Sequence, residues 1–138
     1  MNKLYLIFII PIFLNASLTR STNFVYDTKN GKIWQDSNEN ITLRLSHKEA
    51  IEYCEDLQIA GKSNWHLASK DEYNLIIDKN RKDEHQINKA FHYSMPVDYW
   101  TSDTTWRNFG RYAYYVFFKS GAIYYDNKTY KKFVRCVK

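Results

Sequence analysis

Ser46-His47-Lys48-Glu49-Ala50-Ile51-Glu52-Tyr53-Cys54-Glu55-Asp56-Leu57-Gln58-Ile59-Ala60-Gly61 is the stretch from which the rest of the chain is read. Ser46 followed three residues later by Glu49 is a capping-box arrangement, in which each side chain satisfies a free N–H at a helix start. Ala50, Ile51, Cys54 and Leu57 then recur at helical spacing. The helix therefore has one apolar face, Cys54 points into the core, and Gly61 is the expected stop. The same device returns at Ser69-Lys70-Asp71-Glu72, predicting a second, shorter helix with Tyr73, Ile76 and Ile77 inward.

The chain has only two cysteines, Cys54 and Cys136, and whether they pair depends on the compartment. Met1-Asn2-Lys3 carries one positive charge, Leu4 to Leu14 is almost unbroken apolar sequence, and Asn15-Ala16-Ser17 supplies small residues for cleavage. That pattern is a secretory signal over residues 1–16. The apolar run falls well short of the roughly 20 residues a membrane span needs, so no stable membrane insertion is expected after processing. Export to the periplasm, the cell surface or the medium makes a Cys54–Cys136 disulfide the default. Closing so long a loop is worth about 4.5 kcal/mol in the chain-entropy model. With both sulfurs committed, a thiol nucleophile is not expected.

Residues 17–138 suffice for one domain with a real core and are too few for two. Phe24-Val25-Tyr26-Asp27-Thr28 and Ile33-Trp34-Gln35-Asp36 flank Lys29-Asn30-Gly31-Lys32, which reads as a hairpin because Asn and Gly tolerate positive φ. Ser37-Asn38-Glu39-Asn40 has nothing apolar to bury and reads as a polar loop. Asp78 to His92 is largely polar and reads as a mobile loop with room for one helical turn. Beyond it, Tyr99–Ser102, Tyr112–Phe118, Ile123–Tyr125 and Phe133–Val137 are β-branched or aromatic runs, predicting an antiparallel sheet. The fold class is α+β.

These segments, in order, resemble the Lcl C-terminal domain family, the C-terminal domain of collagen-like bacterial adhesins. The carriers are Asp27-Thr28-Lys29-Asn30-Gly31-Lys32-Ile33-Trp34, Ala50-Ile51-Glu52-Tyr53-Cys54, Trp65-His66-Leu67-Ala68, Tyr99-Trp100-Thr101-Ser102 and Phe133-Val134-Arg135-Cys136-Val137. The main departures are His66 and Ala68, where the family usually has arginine and proline. The resemblance implies a C-type-lectin-like fold, with two helices packed on a twisted antiparallel sheet and the termini close together. It also implies an exported adhesion or ligand-binding module, the collagen-like members being associated with trimers that bind sulfated glycosaminoglycans. No collagen-like stalk is seen before the domain, so trimerisation is not carried over and the oligomeric state is left open.

The formal charge is +5, and Lys119, Lys128, Lys131, Lys132, Arg135 and Lys138 cluster late in the chain, which favours polyanions. An exported protein meets anionic glycans or envelope polymers rather than nucleic acid. The motifs that bind calcium and sugar together in C-type lectins are missing, and Asp98 is the sole carboxylate near Pro96, so no calcium or other cofactor is expected. His47, His66, His85 and His92 lack zinc-ligand spacing and read as surface or capping residues. Glu49, Glu52, Asp71 and Glu72 sit in first turns or on outer helix faces, where a carboxylate complements the dipole. An enzyme is therefore not expected.

Twelve tyrosines and four tryptophans remain to be placed. Trp34, Trp65 and Trp100 read as core, and most tyrosines as core with hydroxyls at the rim. Trp106 stands in the loop from Asp103 to Arg111 with Arg107 and Arg111 beside it, the best setting for exposure. The candidate ligand-binding set is Trp106, Arg107, Arg111, Lys119, Lys128, Lys131, Lys132 and Arg135. The alternative is an envelope structural or protein-interaction domain that uses the same scaffold without glycan binding.

Overall fold

A computed structural model describes residues 17–138; the signal-peptide reading lies outside the described residues. In chain order the elements are β1 Leu18–Ser21, β2 Phe24–Asp27, β3 Lys32–Gln35, α1 Glu39–Thr42, β4 Arg44–Leu45 and α2 His47–Asp56. They continue with β5 His66–Leu67, α3 Lys70–Asn74, β6 Asp98–Thr105, β7 Tyr112–Phe117, β8 Ala122–Asn127, β9 Lys132–Phe133 and β10 Cys136–Val137. The fold is α+β, but with two five-stranded sheets instead of one, ordered β1-β2-β3-β10-β5 and β4-β9-β6-β7-β8.

Both capping boxes form, with Ser46 and Glu49 opening α2 and Ser69 and Glu72 opening α3. Helix α2 ends at Asp56, before the expected stop. Gly61 instead sits in a tight turn closed by Ile59 and Lys62, where Ala60 and Gly61 both have positive φ. The first hairpin pairs Phe24 with Gln35 through Asp27 with Lys32. Asp27 caps the turn by accepting from the Asn30 backbone and side chain at 3.0 and 2.8 Å. Strand β1, unforeseen in the sequence, adds to the outside of β2.

The disulfide joins Cys54 on α2 to Cys136 on β10 across 82 residues, with Cα atoms 5.4 Å apart. It lies in one of two apolar cores, with Phe24, Ala50, Trp65, Leu67, Trp100, Ala113 and Val134. The other core gathers Val25, Trp34, Tyr73, Ile76, Ile87, Phe91, Tyr99, Val116 and Phe118. Successive side chains of a strand point to opposite faces. Thus Phe24 and Val25, Tyr99 and Trp100, and Cys136 and Val137 each divide between the two cores. These strands are buried on both faces, which is why they read as continuous apolar runs.

Four expectations need correction. The Phe133–Val137 run is not one strand: β9 joins the second sheet, running parallel to β6 at Tyr99 and Phe133, while β10 joins the first. Ser37 and Asn40 are buried, because the Asn40 side chain accepts from Ser37 N–H and donates to the Val134 carbonyl at 2.9 Å. Residues 78–92 contain no helix and are pinned by buried Ile87 and Phe91 and by Gln86 N–H donating to Phe118. His47 is a core residue, its Nε2 2.8 Å from the Thr101 carbonyl and its ring edge-on to Trp100.

At the first departure from the family pattern, His66 meets the Glu72 carboxylate at 2.9 Å beside Lys32 at 3.0 Å. A histidine thus occupies an ion-pair position there. Ala68 is fully buried.

Candidate functional site

Strands β6 and β7 form a hairpin whose tip is Trp106-Arg107-Asn108-Phe109-Gly110-Arg111. Thr105 Oγ1 accepts from Arg107 N–H, and Gly110 N–H returns to the Trp106 carbonyl, both at 3.2 Å. Asn108, Phe109 and Gly110 have φ of 51°, 58° and 73°. Asn and Gly adopt that conformation readily, whereas for Phe it costs roughly 1–2 kcal/mol. The result is that Trp106 and Phe109 project into solvent, 88% and 95% exposed. Burial would ordinarily be worth about 1.5–3 kcal/mol for such a ring, so the fold forgoes it twice within four residues.

From this tip an aromatic strip runs down one face of the hairpin. Tyr112 and Tyr114 alternate along β7, and Tyr125 on β8 packs against them at ring distances of 5.7 and 6.1 Å. Cations sit on these rings: the Arg107 guanidinium lies 5.7 Å from the Tyr125 centroid and the Lys70 ammonium 3.9 Å from that of Tyr114. Lys70 is held there because its own N–H donates to Asp103 at 2.7 Å. A cation over an aromatic face contributes roughly 0.5–1 kcal/mol at exposed sites. The strip therefore offers π-faces for stacking and positive charge for anions side by side.

The residues singled out in the sequence distribute unevenly. Trp106, Arg107 and Arg111 share the tip, and Lys128 joins them through its N–H to the Arg111 carbonyl at 2.9 Å. Lys119 lies at the far end of the β7–β8 hairpin, 3.3 Å from Glu84. Lys131 is exposed, with its carbonyl taken by the Arg44 guanidinium. Lys132 and Arg135 are not surface groups. The Lys132 ammonium is locked between Asp98 at 3.1 Å and Asp126 at 2.9 Å. Arg135 is fully buried, donating to the Gln35 and Tyr93 carbonyls and to Asp36. Burying a charge is tolerable only when it is paired and hydrogen-bonded, and both are.

Phe109 and Lys70 were not singled out in the sequence. Phe109 carries no local signal for exposure, since an aromatic residue reads as core. Lys70 reads as an ordinary first-turn residue, and only the docking of α3 against β7 brings it to Tyr114. Among the described residues, no three His, Cys, Asp or Glu side chains converge as metal ligands. No described helix is long and apolar enough to cross a membrane.

The described residues thus form a disulfide-closed α+β module with an exposed aromatic and cationic hairpin tip. The chain belongs to the Lcl C-terminal domain family, whose model matches residues 23–138. That family is adhesin-associated, and membership makes this an adhesin-like binding module. No curated protein and no solved structure matches the chain.

Proposed function

We propose that the protein is an exported, non-enzymatic module that recognises anionic glycans, or another surface polyanion, through the β6–β7 tip. The observation that carries this reading is the meeting of exposed Trp106 and Phe109 with Arg107, Arg111 and Lys128 at one end of the second sheet. Sugar rings stack on aromatic faces, and Arg forms paired hydrogen bonds with sulfate or carboxylate groups. Export is supported by the disulfide, which persists in oxidising compartments. Ser17 accepts from Thr28 N–H at 2.9 Å, so residue 17 already belongs to the folded unit. A C-type-lectin-like reading of the fold is supported by the shared sheet of the N- and C-terminal strands, where Ile33 N–H donates to the Lys138 carbonyl at 2.7 Å.

The test is binding of the purified, oxidised protein to heparin-like and neutral glycans across a salt series. Saturable binding to the sulfated glycan weakens with salt, and an Arg107→Ala, Arg111→Ala double variant binds about tenfold or more weakly, the equivalent of one lost charged hydrogen bond. A second reading, a protein-interaction module, is favoured by the near-complete exposure of Phe109, which a partner's apolar surface would cover. Absence of glycan binding even at low salt selects it.

A further inference from the structure

The other face of the same hairpin carries a second site. Tyr115 and Phe117 alternate with Tyr112 and Tyr114 along β7 and so face the opposite way, and Tyr124 lies across from Tyr115 in register. Two recesses meet on this face. One, of about 420 Å³, is lined by Arg44, Val97, Asp98, Phe117, Lys132 and Phe133. The other, of about 230 Å³, is lined by Asp98, Tyr115, Phe117 and Tyr124. They share Asp98 and Phe117 and form one groove, within the range of small-molecule sites, about 300–1,000 Å³.

The polar groups of this groove are built in. The Lys132 side chain is only 6% exposed, bridges Asp98 and Asp126, and lies 4.0 Å from the Tyr115 ring centroid. Arg44 is steadied by the Lys131 carbonyl at 2.8 Å, with its guanidinium 5.8 Å from the Phe133 centroid. Two carboxylates and two cations thus balance. An added cation meets Lys132 and Arg44, and an added anion meets Asp98 and Asp126, so neither gains net attraction. Asp98 Oδ2 accepts from the Lys132 ammonium, and its Oδ1 accepts no hydrogen bond from the described residues. Tyr124, 49% exposed, is the ring most open to solvent beside it.

We propose that this groove binds a neutral pyranose, whose apolar face stacks on Tyr124 beside Phe117 and whose hydroxyls donate to Asp98 Oδ1. A neutral pyranose has one flat apolar face and a rim of hydroxyl donors, matching a charge-balanced groove with an open ring and a fixed acceptor. The site lies on the opposite face from the Tyr112 and Tyr114 strip and does not depend on the hairpin tip.

Saturation-transfer NMR of the purified, oxidised protein with glucose, galactose and N-acetylglucosamine tests it. The expected result is transfer to the ring protons of at least one sugar, unchanged in high salt and unchanged in the Arg107→Ala, Arg111→Ala variant. Tyr124→Ala and Asp98→Asn, the first half-exposed and the second isosteric, each weaken binding about tenfold or more. Near-ultraviolet circular dichroism verifies that both variants keep the native fold. No transfer to any of the three sugars, or transfer undiminished in either folded variant, overturns the proposal. Loss confined to the arginine variant also overturns it, because the sugar then sits at the tip.

Discussion

The Arg135 guanidinium and the Asp36 carboxylate form an ion pair at 3.2 Å in which neither side chain is exposed at all. Asp36 also pairs with Arg20 and accepts from His92 and Tyr93 N–H at 2.9 and 3.0 Å, while Arg135 packs 4.9 Å from the Phe91 ring centroid. This pair fastens residues 91–93 to the first sheet. Removing Arg135 leaves the Gln35 and Tyr93 carbonyls without their donor, while Asp36 keeps Arg20 and two N–H groups, at a cost of about 2–5 kcal/mol for the two stranded groups together. Arg135→Met is therefore expected to lower the urea unfolding free energy by that amount, whereas Arg111→Ala at the surface stays within about 0.5 kcal/mol of wild type. Equal, small effects from both would contradict the burial of Arg135.

What the sequence discloses here is what short-range chemistry decides. The Asn30-Gly31 hairpin, the Ser46–Glu49 and Ser69–Glu72 caps and the exposure of Trp106 all follow from residues a few positions apart. Cys54 and Cys136 read as a pair because no third cysteine competes and an exported chain meets oxidising conditions. Arg135 and Lys132 looked like surface charges because their partners, Asp36, Asp98 and Asp126, reach them only through the fold. The split of Phe133–Val137 between two sheets was hidden for the same reason, since an apolar run buried on both faces has no period to read.

The Cys54–Cys136 bridge ties α2 to the last strand and closes most of the domain into one loop. In the chain-entropy model it restrains the unfolded chain by about 4.5 kcal/mol. A Cys54→Ala, Cys136→Ala double variant is expected to lose stability of that order, plus the packing of two buried sulfurs. Urea unfolding of wild type with and without reductant, beside the double variant, measures it. A loss below about 1 kcal/mol would mean that the unfolded chain is already restrained elsewhere.

The helix cap at Ser46 is a smaller and cleaner test. Its hydroxyl accepts from Glu49 N–H at 3.3 Å, and Glu49 returns to Ser46 N–H. Replacing a capping serine by alanine costs about 0.5–2 kcal/mol. Ser46→Ala is expected within that range by urea unfolding, with an unchanged disulfide.

Acid should destabilise the fold in two windows. Burial lowers the His47 pKa, with Lys128 adding to the effect and the Thr101 hydrogen bond opposing it. The unfolded histidine takes up a proton near pH 6.5 while the folded one refuses it. The stability contributed is full above that pH and is lost as pH falls through the folded value. For Glu72, burial pushes the carboxyl up, but hydrogen bonds from Ser69, Lys32 and His66 outweigh it and hold it below the usual range. Its contribution is present above the unfolded carboxylate value and is lost at lower pH still. His47→Gln should flatten the first window only, leaving the slope of His85, which burial and Arg81 shift in the same direction. Urea midpoints measured from about pH 7.5 to about pH 3, a span that brackets the ordinary histidine and carboxylate values, separate the two.

Trp106 is set apart from the other tryptophans in a way that solution optics can read. It is 88% exposed, whereas Trp34 and Trp100 are fully buried and Trp65 nearly so. Acrylamide should therefore quench one emitting class strongly and leave the rest protected, and Trp106→Phe should abolish the accessible class. The substitution touches no buried contact, so stability should change by less than about 0.5 kcal/mol. If the β6–β7 tip is where an anionic glycan sits, the same accessible class should become protected when a heparin-like glycan is added, and an Arg107→Ala, Arg111→Ala variant should lose that protection. Protection that persists in the arginine variant would mean that the two arginines do not hold the ligand, whereas quenching of all four tryptophans in the free protein would contradict the two-core fold.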